Sequence, residues 1–193
     1  YEYTLKNGTN LPGARISYFR INKESRKITE AGIAFNKIIN RASKEVADAS
    51  DLVFNGLSKL CSAFGTELGQ YGFVDRIYLT GEETPGGSVF ALDVDEKVLW
   101  AAPALGVGKW ENAVPLDLPE LNKTHVIVLL GDDTPQAPLY LYVGEKNQSE
   151  DASFLDRNGL VEGKLYIWKS DDNSINPENF KGTGAIRNGA FIL

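Results

Sequence analysis

The chain contains no Met, a single Cys at position 61, a single His at position 125 and no long apolar run. Each scarcity excludes something. One Cys forms no internal disulfide, so cysteine counting does not fix a redox compartment. One His excludes a zinc site built on several imidazoles, and leaves Ser-His-Asp or Cys-His hydrolase arrangements one candidate base. A metal bound here would take mostly oxygen ligands, which favours hard cations such as calcium. No stretch approaches the ~18 apolar residues of a membrane helix, so no membrane span is expected, and no signal-peptide pattern stands at the start. A chain that opens on Tyr1 and stops on Phe191-Ile192-Leu193 is expected to be processed, or cut from something longer.

What is present is ordinary for a folded protein. The 193 residues are 42% hydrophobic and 10% aromatic, which fits one domain over residues 1–193 and argues against disorder. The formal net charge is -6, and an acidic chain is a poor match for nucleic acid, which needs clustered cations. The charge is uneven. Residues 1–48 carry nine Lys/Arg against five Asp/Glu, while the remainder carries 11 against 21. The basic opening reads as a solvated face, or as one that meets an anionic ligand or a neighbouring segment.

Short runs rich in aromatic and β-branched residues, bounded by Gly, Pro, Asp or Asn, predict an antiparallel all-β fold. Ala14–Asn22 and Ile28–Asn36 flank a charged turn and predict a hairpin. Lys37–Ser50 reads as a short helix or an extended loop, and Asn55–Gln70 as an irregular loop holding the cysteine. Strands are expected at Arg76–Thr80, Ser88–Asp93, Val98–Ala104, Ala113–Leu118, His125–Leu130, Leu139–Val143 and Lys164–Lys169, the last four as a meander. A polar loop at Asp171–Asn179 and a final strand within Phe180–Leu193 close the series. This spacing suits a sandwich, a barrel or a propeller.

Several residues are candidates for chemistry. Cys61 reads as an inert small side chain, or as a thiolate ligand or nucleophile. Glu82 and Glu83 leave a strand together, and because side chains alternate only one of them can face a given site. Glu111 follows Trp110, itself a core or pocket-wall residue, and Asp132 and Asp133 end the most apolar strand. Solvated loop charges are the plain alternative for these acids. Asp171–Asn176 has the look of a calcium loop but lacks the glycine an EF-hand needs at its sixth position.

In order and spacing these pieces resemble the bacterial PhoX-type alkaline phosphatases and their relatives. Asp75–Glu83 with the Gly-rich turn after it is similar to that family's strand ending in a Glu-Glu pair; Gly108–Ala113 and Val128–Asp133 are similar to two further segments, and Cys61 is placed like the family's metal-bridging cysteine. The resemblance runs from about Ala14 to Trp168. It implies a β-propeller, six-bladed, of which this chain is an incomplete part, acting in the periplasm or secreted. It implies hydrolysis of phosphate monoesters with calcium and iron, a small anionic ligand as substrate, and the remaining part of the same propeller as partner. On that model Cys61 bridges irons, Glu82 or Glu83 binds metal, and Glu111, Asp132 and Asp133 match motif positions. The chain departs from the family at Trp110, where relatives have His, and at Arg187, which is followed by Asn188 rather than by Pro and Glu. The expected function is therefore a PhoX-like phosphatase fragment, or a non-enzymatic, calcium-stabilised binding module. A different propeller hydrolase is a third option, for which no separate nucleophile is visible.

Overall fold

A computed structural model describes residues 2–172 and 187–193. Asn173–Asn176 of the acidic stretch, and the Phe180 start of the last expected strand, lie outside these residues. The chain is mostly β. Strands β1 (Glu2–Thr4) and β2 (Asn10–Pro12) form one hairpin, and β3 (Ser17–Ile21) and β4 (Ile28–Ile33) form another, with the expected turn between them. Next come β5 (Lys37–Ile39), β6 (Leu60–Gly65), β7 (Ile77–Glu82), β8 (Gly87–Asp93), β9 (Val98–Ala101) and the short β10 (Val107–Gly108). The series ends with β11 (Trp110–Pro115), β12 (His125–Asp132), β13 (Tyr140–Glu145), β14 (Glu162–Ser170) and β15 (Gly189–Ile192).

Two sheets dominate. The first runs in the order β5-β9-β8-β7-β6, with β10 pairing to β8, and the second in the order β11-β12-β13-β14-β15. Both are antiparallel meanders, save that β5 pairs in parallel with β9. The expected last four strands are found as β11 to β14 in sequence order. One expectation fails: the cysteine-bearing loop at Asn55–Gln70 contains strand β6. Leu60-Cys61-Ser62-Ala63-Phe64-Gly65 is half-exposed at an edge and has little apolar alternation to announce it. The Lys37–Ser50 stretch holds β5 and a 3-10 turn at Ala49–Asp51, capped by Asp48.

The first sheet is covered on both faces. Along β8, Val89 and Ala91 enter a core shared with the second sheet, where Val126, Val128, Leu130 and Tyr142 meet them. Phe90 and Leu92, on the other face, pack with Tyr3, Leu11, Phe35, Ile38 and Leu57 of the N-terminal third. Burial on both sides explains why β8 reads as a continuous apolar run. The sheets approach most closely where Gly81 of β7 meets Trp110: a Cβ on Gly81 would lie 2.5 Å from the Trp110 Cβ. A short helix α1 (Phe154–Arg157) and the residue after it tie the layers. Arg157 Nε donates to Asp75 at 2.6 Å, and Asn158 Oδ1 accepts from the backbone N–H of Val74 at 2.8 Å.

The second sheet differs. Register places Ile127, Leu129, Leu141, Val143 and Tyr166 on its other face, and none of them belongs to either core. That face is apolar and lies outside both cores, with Ile127 buried and the other four half-buried. No helix of the described residues is long and apolar enough to cross a membrane.

Candidate functional site

The start of β6 pairs with the end of β7, and the start of β11 with the end of β12. This register brings all six candidate residues to one end of the two sheets. Two irregularities sharpen the placement. The β6–β7 ladder slips between Leu60 and Ala63, and the β11–β12 ladder slips between Trp110 and Asn112. Cys61 and Glu111 therefore both sit in β-bulges, which re-aim side chains and recur beside active sites. The bulges face each other across the layers: Ser62 Oγ donates to Asn112 Oδ1 at 2.5 Å, joining the residues next to Cys61 and Glu111.

Cys61, Glu83 and Glu111 come together. One ligand atom from each lies within 4.8 Å of the others, and all three residues are half-buried. Glu83 follows the last residue of β7, and its N–H still donates to the carbonyl of Lys59 at 3.0 Å, so the ladder holds it in place. Lys59 Nζ reaches Glu83 Oε1 at 2.7 Å, with Lys109 Nζ at 3.6 Å from the same oxygen. Hydrogen bonds from Lys59 and then from the Cys61 thiol hold the Glu83 carboxyl down to about 2. The Cys61 thiol is pushed up, first by its hydrogen bond to Glu83, then by burial and the nearby Glu111 charge. A cation among these groups would reverse that balance, because it favours thiolate over thiol.

The other acids serve differently. Glu82 is only 2% exposed and points away from Cys61. Its oxygens accept from the backbone N–H of Ser58 at 2.9 Å and of Ser88 at 3.0 Å, and burial, ahead of these bonds, raises its carboxyl. Asp132 Oδ1 accepts from the N–H groups of Thr134 at 2.9 Å and Lys109 at 3.3 Å, which organises the turn after β12. Asp133 pairs with Lys109 Nζ and also shares a side-chain hydrogen bond with Glu83, so it lies against the edge of the centre. Lys59 and Lys109 were not singled out from the sequence. Their signal lay in spacing, since Lys59 stands two residues before Cys61 and Lys109 two before Glu111.

The opposed roles of the Glu pair are testable. Glu82→Ala leaves the buried Ser88 N–H and the part-buried Ser58 N–H without their acceptor and is expected to lower stability by about 2 kcal/mol in urea denaturation, with no change in the content of any bound metal per folded chain. Glu83→Gln is expected to barely move the unfolding midpoint and to lower the content of any metal that the Cys61 group binds.

The donor set tests which ion fits. Calcium takes six to eight oxygens and no sulfur, so the Cys61 group does not suit it. One thiolate with two carboxylates suits a borderline transition metal such as iron. Comparison with known proteins returns nothing: no family model, no curated protein and no solved structure matches the chain.

Proposed function

We propose that the chain carries part of the metal centre of a PhoX-like, metal-dependent phosphate monoester hydrolase built on a β-propeller. The observation that carries this reading is the convergence of Cys61 and Glu111, from the edge strands β6 and β11 of two neighbouring meanders, and of Glu83, just after β7, on one small volume. The two sheets are read as adjacent blades, with β6 and β11 lining the central channel. The apolar face of the second sheet that belongs to neither core is where the remaining part of the same propeller packs, and that part supplies further ligands. In this reading iron takes the Cys61 thiolate, and calcium takes oxygen ligands outside this group.

Cys61 and Glu111 would hold the ion from the two adjacent blades, and the Ser62–Asn112 hydrogen bond keeps the two bulges in register. Lys59 fixes the Glu83 carboxylate in its ionised form. A bound transition metal would polarise a phosphoryl oxygen and activate water. Lys59 and Lys109 add positive charge at the same edge, where a phosphate monoester brings its anionic oxygens. Protein with the remaining propeller segment, loaded with iron and calcium, is expected to hydrolyse a generic phosphate monoester, and Glu111→Gln to lose that activity. Metal-free, inactive protein with an intact fold would overturn the reading.

A second reading has one observation behind it. The Lys59–Glu83 pair already supplies a cation to the centre, as expected of a calcium-stabilised binding module that has no enzymatic task. Iron-free protein that still gains thermal stability from calcium would favour it.

A further inference from the structure

Hairpin β3–β4 is amphipathic in the inverse sense. Tyr18 and Arg20 share the face turned toward the body of the protein, where Tyr18 lies against Gly32 and under the Lys97 ammonium, whose Nζ is 5.6 Å from the ring centroid. Arg20 pairs with Glu30 at 2.8 Å on this same polar side. An open cleft of about 360 Å³ runs beneath, lined by Tyr18, Arg20, Arg76 and Lys97 among others. The opposite face carries the apolar residues and no cover. Phe19 is 60% exposed, Ile21 61% and Ile28 60%, with Ile21 and Ile28 paired directly before the turn.

The turn itself is built and basic. Asn22 Oδ1 accepts from the N–H groups of Glu24 and Ser25, and the Asn22 N–H donates to the Lys27 carbonyl, so the six-residue end is held by its own hydrogen bonds. It projects Lys23, Arg26 and Lys27 against one acid, Glu24. None of these three cations has an ion-pair partner among the described residues. The protein is acidic as a whole, so the positive charge at this tip is local.

We propose that the end of the β3–β4 hairpin docks on an anionic phospholipid surface, with Ile21, Ile28 and Phe19 entering the headgroup boundary and Lys23, Arg26 and Lys27 meeting lipid phosphates. Apolar side chains beside unpaired cations at a narrow protruding end are the two terms that add in interfacial binding. A protein partner is the poorer match: three side chains offer far less than the roughly 800 Å² each partner contributes to a stable complex. The geometry also gives an orientation. Arg76, beneath the hairpin, precedes β7, and Glu83 follows it, so docking leaves the Cys61 group about 20 Å away at the opposite strand end.

Sedimentation of the intact chain with phosphatidylcholine vesicles, with and without phosphatidylglycerol, tests this. Binding is expected only to the anionic vesicles and is lost in high salt. Replacing Lys23, Arg26 and Lys27 together by Gln weakens it roughly a hundredfold, and Phe19→Ser with Ile28→Ser weakens it at least about tenfold. Both variants keep the far-ultraviolet circular dichroism of the parent, since these side chains are exposed and belong to neither core. Absence of binding to anionic vesicles, equal binding to neutral ones, or unchanged binding by either variant overturns the proposal. So does self-association of the parent that Phe19→Ser with Ile28→Ser abolishes, which would assign the patch to a second copy.

Discussion

On the proposed metal centre, Cys61→Ser is expected to lower metal affinity by at least about tenfold while leaving the fold and thermal midpoint, measured without metal, nearly unchanged. The substitution is almost isosteric, and a serine hydroxyl can replace the thiol as donor to Glu83. What it cannot replace is a soft, readily ionised ligand, because a hydroxyl stays protonated where a thiol beside a cation does not. Metal titration followed by a colorimetric chelator reads the effect. Added metal should raise the melting temperature of the parent and not that of the variant, since only a ligand bound to the folded state stabilises it. Equal stabilisation of both would remove Cys61 from the centre.

Trp110→Ala is expected to cost about 3–5 kcal/mol, the usual range for emptying a large buried aromatic site. Trp110 is 1% exposed, its ring meets Tyr140 edge-on at 5.6 Å, and its backbone fills the space left by Gly81. Its indole N–H has no hydrogen-bond partner among the described residues, so the loss is one of packing. Trp110→Phe should recover most of it. Because Glu111 is the next residue, the Ala variant should also bind metal less well. An unfolding free energy from urea denaturation within about 1 kcal/mol of the parent would contradict this account of the interface between the sheets.

Much of the second half was legible in the sequence because its strands are buried on one or both faces. Val89-Phe90-Ala91-Leu92 and Val126-Ile127-Val128 declare themselves through apolar density, and the turns between them through Gly, Pro and Asp. Strand β6 was not legible, for a reason tied to its position. It pairs on one side only, half-exposed, so selection for a buried face is weak and Ser62 and Gly65 dilute the pattern. The first hairpin, β1–β2, is three residues to a strand and too short for periodicity to register. The site was legible in part. Alternation says that one of Glu82 and Glu83 faces away from a shared site, but not which. Gly87 decides it by close approach: a Cβ there would meet the Glu82 carbonyl oxygen at 2.3 Å and its Cβ at 2.7 Å, so the turn folds onto Glu82 and leaves Glu83 to Cys61. The bulges that bring Cys61 and Glu111 together depend on cross-strand register, which no local pattern encodes.

The central claim is that Cys61, Glu83 and Glu111 form one transition-metal centre between two sheets. An anomalous difference map collected at the iron edge, from crystals of protein purified with iron and calcium, tests it most directly. A single strong peak among the Cys61 sulfur and the carboxylates of Glu83 and Glu111 is the predicted result. An empty map at this position in a correctly folded protein, with Lys59 still paired to Glu83, would contradict it.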